Sequence, residues 1–175
     1  MNQETTPPIR LRLWAEGDFP LLEKLLGDAE MTKHLGGPEN AEQLARRHKR
    51  YVDLTDPVKS QMYVIVLDPG SAPVGSVGYW ETDWQGQPIY EMGWSVLPDF
   101  QGQGIAVKAT LAALANVRLV AQHRFVHAFP SVANNASNAV CRKAGFSLIG
   151  EVEFEYPKGH PMRCNDWQLD LLETH

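Results

Sequence analysis

Only two cysteines, Cys141 and Cys164, occur in the 175 residues. They lie far apart and outside any Cys-x-x-Cys spacing, so neither a disulfide framework nor a zinc knuckle is indicated. No apolar run approaches the roughly 20 residues that a membrane-spanning helix needs. The opening MNQETTPPIR lacks the basic start and apolar centre of a secretory leader, and a cytoplasmic protein without membrane association is expected. An excess of basic charge is missing too. Sixteen Lys and Arg face 21 Asp and Glu, for a net charge of −5, which argues against a nucleic-acid partner because phosphates demand a basic footprint. A cationic small partner suits this balance better. The 6 histidines make no His-Glu-x-x-His or other paired-ligand pattern, so no metal is expected. No Gly-x-Ser-x-Gly elbow is present either.

What is there is 43% hydrophobic content, enough to bury one substantial core. The TTPP stretch marks residues 1–8 as a frayed tail, and residues 9–175 read as a single domain. IRLRLW alternates apolar and basic residues at the period of a half-buried strand. Asp18 is placed to cap a helix over FPLLEKLLGDAE, with Pro20 in its first turn and Leu21, Leu22, Leu25 and Leu26 as the buried stripe. Gly36-Gly37-Pro38 ends the helical turn MTKHL. A polar helix over ENAEQLARRHKRYVDL follows, whose run Arg46, Arg47, Lys49 and Arg50 reads as a solvated face. Three strand candidates, QMYVIVLD, VGSVGYWETDW and IYEMGWSVL, are separated by turn residues and form an antiparallel meander. A helix from Gly104 to about Val120 then precedes the strand RFVHAFP, the helix SNAVCRKAG and two closing strands. This order predicts an α/β fold with a mixed, mostly antiparallel central sheet and helices on both faces.

The meander ends in DFQGQGIA, with glycines at the mouth of a helix. Helix amino ends carry unpaired N–H groups and the positive end of the backbone dipole, so a glycine-rich turn there admits an anion close to the backbone. A tight turn without a ligand has the same pattern. The segment has no Lys-Ser/Thr of a nucleoside-triphosphate loop, and the antiparallel meander before it is not the parallel start of a dinucleotide fold.

Gln101-Gly102-Gln103-Gly104-Ile105-Ala106 resembles the Gln/Arg-x-x-Gly-x-Gly/Ala signature of the GNAT superfamily of acetyl-CoA-dependent N-acetyltransferases, after the fourth strand and opening the third helix. Asn134 to Phe146, NNASNAVCRKAGF, is similar to that family's later Asn-x-x-Ser and Lys-x-Gly-Phe segment. The first 29 or so residues of the domain resemble the subgroup typified by ribosomal-protein N-terminal acetyltransferases. The likeness spans nearly the whole chain and is weakest over Glu155 to Arg163.

This resemblance implies acetyl-CoA as co-substrate, its pyrophosphate on the N–H groups of Gln101, Gly102, Gln103, Gly104, Ile105 and Ala106. The pantetheine arm would add like an extra strand beside Trp94, Ser95 and Val96, where the family's fourth and fifth strands splay. The thioester would lie near Val96, whose N–H or a neighbour's is placed to stabilise an oxyanion. Asn134 would hold the pantetheine or an ordered water, although a helix cap explains it equally. An amine of pKa ~10 must lose a proton before it attacks. Glu91, a carboxylate in an otherwise apolar strand, is the candidate base, and a rim glutamate facing solvent is the alternative. Ser137 is the candidate donor to the leaving thiolate, with Tyr90 or Tyr156 as substitutes; a first-turn hydroxyl is the bland reading of Ser137.

The acceptor is less legible. The five tryptophans with Tyr79 and Tyr90 make an aromatic-rich set beside Glu81, Asp83, Glu91, Glu153 and Glu155, which suits an ammonium by charge and cation–π attraction. The segment FEYPKGHPMRCNDW is expected to form a hairpin that either shapes the acceptor pocket or meets a second subunit in a homodimer. A wall there favours a small amine over a peptide amino terminus. The remaining alternative is a non-enzymatic module that binds acyl-CoA as a sensor.

Overall fold

In a computed structural model that describes residues 5–174, one sheet runs through the molecule. Its strands are β1 (Ile9–Leu13), β2 (Ser60–Leu67), β3 (Pro73–Trp84), β4 (Gln87–Val96), β5 (Phe125–Ala128), β6 (Ser147–Glu155) and β7 (Pro161–Asp170), in the spatial order β1-β2-β3-β4-β5-β7-β6. Every neighbouring pair is antiparallel except β4 with β5. The expected mixed sheet is therefore present, with helices on both faces. Helices α1 (Phe19–Leu26) and α2 (Ala41–Val52) cover one face through Leu21, Leu22, Leu25 and Leu44 packed on Met62, Val64 and Val66. Helices α3 (Ile105–Val120) and α4 (Asn135–Lys143) cover the other, burying Ile105, Ala109, Leu114 and Cys141 against Ile65, Val77, Tyr90 and Val126. Strand alternation explains the division, since even positions of β2 face α1 and α2 while odd positions face α3. No helix among the described residues is long and apolar enough to cross a membrane.

Three local expectations are corrected. The carboxylate of Asp18 does not cap α1; it turns back to accept both ends of the Arg12 guanidinium, at 2.7 and 2.8 Å, and the Ala15 N–H at 2.8 Å. It thus ties β1 to the helix that follows, and a charge-assisted fork outcompetes a single backbone N–H. Helix α1 also stops at Leu26, one turn early. Asp28 holds the next turn instead, its carboxylate accepting the Met31 N–H at 2.9 Å, the local competition that makes Asp a poor helix-interior residue.

The third correction concerns α2. Arg46, Lys49 and Arg50 are exposed as a solvated face should be, but Arg47 is turned inward. Its Nε donates to both Glu39 oxygens at 2.9 and 3.0 Å, and its other nitrogens reach Tyr51 and Tyr156. The amino end of α2 carries a reciprocal cap, Asn40 accepting from Gln43 N–H and Gln43 returning to Asn40 N–H, at 2.9 and 2.8 Å. Asn40→Ala is expected to lower stability by about 1 kcal/mol, read as a shift of the urea midpoint at unchanged slope.

Candidate active site

Strands β4 and β5 are paired at two positions only, Tyr90 with Val126 and Glu91 with His127. Beyond them β4 runs on to Val96 while β5 ends at Ala128 and the chain turns away. The sheet consequently splits, and the gap opens into a cavity of about 1060 Å³. Its mouth is the Gly102–Ala106 turn with the amino end of α4; its inner end is Glu91, and its far wall comes from α1, α2 and the β6–β7 hairpin.

Backbone direction decides what the gap offers. The Leu97 N–H donates to Val74 on β3 at 2.8 Å, and ladder bonds of an antiparallel strand alternate sides. Trp94 and Val96 therefore aim their N–H and C=O groups at the gap, while Ser95 spends its backbone on β3 and brings only its side chain to the cavity. The Val96 carbonyl accepts from the Gln101 side chain at 2.8 Å, which pins the glycine turn to the end of β4. The Gln101 N–H is itself committed to Pro98 O at 3.2 Å.

The backbone N–H groups of Gly102, Gln103, Gly104, Ile105 and Ala106, in contrast, meet no backbone acceptor among the described residues. Gly102 and Gly104 have φ of +75° and +79°, a left-handed backbone that L side chains rarely adopt. A Cβ on Gly104 would strike Thr6 at 2.6 Å, whereas one on Gly102 would project into open space. Gly102, Gly104, Ile105 and Ala106 line the cavity, whereas Gln103 is exposed outside it with its side chain donating to Asp99 O at 3.3 Å. The turn is thus a set of free donors at the cavity mouth backed by the dipole of a 16-residue helix, suited to an anion with several oxygens. These features fit a coenzyme with a diphosphate and an extended amide arm.

The other candidates fall as follows. Asn134 lines the cavity and caps α4, its oxygen accepting the Ser137 N–H at 3.1 Å. Ser137 lines the same wall, half-buried. Glu91 projects from the face of β4 that looks towards α1 and α2, opposite Trp80, whose indole N–H donates to it at 3.1 Å. Burial pushes its carboxyl up to about 7, with the indole bond working against that rise. It has no cationic partner among the described residues.

Tyr90 is removed as a proton donor: it is buried on the α3 side, its hydroxyl donating to Val58 O at 2.7 Å and accepting the Gln122 N–H at 3.1 Å. Tyr156 does line the cavity, its hydroxyl accepting from Arg47 at 2.9 Å. Burial pushes the Cys141 thiol up to about 12 and the Cys164 thiol to about 11, so both stay protonated at neutral pH. Of the five acidic residues expected near the acceptor, Glu91 alone lines the cavity. Glu81 is turned to His123 at 2.5 Å, and Asp83, Glu153 and Glu155 are exposed. Of the tryptophans, Trp80 and Trp94 line it.

Sequence reasoning missed two contributors to the far wall. Gly36 packs against Pro157, so that an added Cβ would lie 2.9 Å from that ring, and Arg47 reaches Tyr156 across a separation of 109 residues. The α1–α2 connection and the β6–β7 turn therefore meet over the cavity. No local signal in either segment announces the other.

The family model for the acetyltransferase (GNAT) domain matches residues 9–147. Among solved structures, one likeness is to spermidine N-acetyltransferase from Vibrio cholerae in complex with CoA and spermine, at 16% identity over 94% of this chain and 98% of that one, with a TM-score of 0.76. A second is to the Salmonella typhimurium acetyl transferase that modifies the N-terminal serine of ribosomal protein L7/L12, at 23% identity over 95% and 96% with a TM-score of 0.74. A third is to a Bacillus anthracis acetyltransferase, at 18% over 97% and 98% with a TM-score of 0.75. Likenesses at these identities show the fold. No curated protein matches the sequence.

Proposed function

The chain belongs to the GNAT acetyltransferase family, and from that premise we propose that it moves the acetyl group of acetyl-CoA directly to the primary amine of a small acceptor within a ternary complex. The observation that carries the reading is the split between β4 and β5, with free N–H donors at its mouth and a half-buried carboxylate without a cationic partner at its inner end. The donors of Gly102 to Ala106 take the diphosphate, and the Val96 N–H and the Trp94 carbonyl are open to the pantetheine amides. Asn134, already the cap of α4, stands beside that arm.

Glu91 accepts the proton that the acceptor ammonium must lose. Its pKa near 7 suits this task at neutral pH, since a base is most useful when its own pKa lies close to the working pH. The freed nitrogen lone pair attacks the acetyl carbonyl carbon, the Trp94 N–H, nearer to Glu91 than Val96 is, steadies the oxygen as charge develops, and the carbon–sulfur bond then breaks. The departing thiolate takes a proton from the Ser137 hydroxyl as that hydroxyl receives the second proton shed by the acylated nitrogen, so the serine ends as it began and the amide is neutral; the Tyr156 phenol is the alternative relay.

A small acceptor is favoured over a protein amino terminus because the α1–α2 connection and the β6–β7 turn close over the far wall. A polypeptide entering from that side needs an open groove. The test is amine-dependent thiol release from acetyl-CoA, with a pool of small primary amines set against short peptides. Release with small amines is expected; coenzyme binding without release under any amine would turn the reading towards a sensor module, and release with peptides alone would reverse the choice of acceptor.

A further inference from the structure

The acceptor side of the cavity is apolar, and its carboxylates other than Glu91 are already matched. Leu22, Leu25 and Trp80 line one flank, and Phe129 and Phe154 the other. The two phenylalanine rings are stacked, with centroids 4.6 Å apart and planes 18° from parallel. Trp84 braces them from behind, at 4.7 Å from Phe129 and 6.0 Å from Phe154. The two rings spend their facing surfaces on each other, and His127 stacks on Phe129 as well, at 5.7 Å and 20°, so this flank is a rigid, preformed apolar wall.

Among the described residues, two carboxylates line the cavity, Glu30 and Glu91. Glu30 is exposed at the rim and paired with Lys33 at 2.6 Å. Glu39, next to the far wall, is held by Arg47 through three hydrogen bonds, from Nε and Nη2. One carboxylate, Glu91, therefore remains for a cationic guest. A polyamine or an amino sugar would bring further ammonium groups against leucine and phenylalanine, where each would be stripped of water without a partner. The cavity rejects such acceptors by what it withholds as much as by what it provides.

Resting on the N-acetyltransferase reading above, we propose that the acceptor is an aryl-alkyl monoamine: one ammonium that meets Glu91, and a flat apolar body that packs against the wall made by Phe129 and Phe154. The group transfer is the one already described, with the amine proton passing to Glu91 and the acetyl group to nitrogen.

Initial rates of thiol release from acetyl-CoA, measured with phenethylamine, spermidine, kanamycin and alanine- or serine-terminal peptides, test this, with coenzyme A affinity followed separately by calorimetry. The expected kcat/KM for phenethylamine exceeds that for spermidine by roughly 100-fold. A preference for spermidine, kanamycin or a peptide overturns the inference and leaves the N-acetyltransferase reading standing. Coenzyme binding with no amine turned over removes both. Met162, paired with Phe154 across the hairpin, also lines the cavity. Met162→Glu adds a second carboxylate beside the aromatic flank and is expected to raise the putrescine-to-phenethylamine ratio by about 10-fold. An unchanged ratio in a variant that still binds coenzyme A with wild-type affinity overturns the charge argument.

Discussion

Glu91→Gln lowers kcat for acetyl transfer at pH 8 by a factor of about 10² to 10³ and leaves coenzyme A affinity unaltered. The amide keeps the shape and the contact with Trp80 but cannot take a proton from an ammonium. The pH dependence carries the sharper information. Wild-type kcat/KM should climb with pH and level off above about 7, the point to which burial raises the Glu91 carboxyl, while the variant should lack that inflection. An inflection that survives the substitution removes Glu91 from the role of base.

Stability should move in the opposite direction. Burial favours the protonated form of Glu91, so its folded pKa lies above the unfolded value. The associated stabilisation is complete at acid pH, below the unfolded carboxylate range, and is lost as pH rises through about 7. Glu91→Gln should therefore melt at a higher temperature than the wild type at pH 8 and show no such advantage at pH 4. A residue that weakens the fold in the pH range where the reaction is expected to run is one whose presence asks for a chemical reason.

Gly102→Val is expected to weaken coenzyme A binding by about 100-fold or more, close to 3 kcal/mol. The added side chain projects into the open cradle, and its β-branched backbone resists the φ of +75° on which the orientation of the following N–H groups depends. Nothing lies within 4 Å of the new Cβ, so the cost to the fold is confined to backbone strain of about 1 to 2 kcal/mol at this turn. Calorimetric titration together with a thermal melt separates the two effects, and wild-type affinity in a folded variant would discard the cradle.

The order of elements was legible because each carries a local signal: the stripe of α1, the short strand-like runs of β2 to β4 set off by turn residues, and the glycines before α3. The inner residue Glu91 was legible as well, as an acid within an apolar strand. What escaped was the phase between strands. Pairing of Trp80 with Glu91 joins even positions of β3 to odd positions of β4, so Glu81 and Asp83 point to the face opposite Glu91. Alternation within one strand cannot reveal that. Arg47 escaped for a related reason. A basic run on a polar helix has the appearance of a solvated face until a tyrosine from a distant hairpin arrives beside it. Tyr90 stood on the right strand and pointed to the wrong side.

The two-residue junction between β4 and β5 leaves the sheet with a pair of unsatisfied rims facing each other in the interior of the fold. On the outside of a sheet, rims of that kind recruit neighbouring molecules and seed aggregates. Here the two rims face a cavity inside the fold, so the backbone groups that would otherwise template a foreign strand are held for a guest.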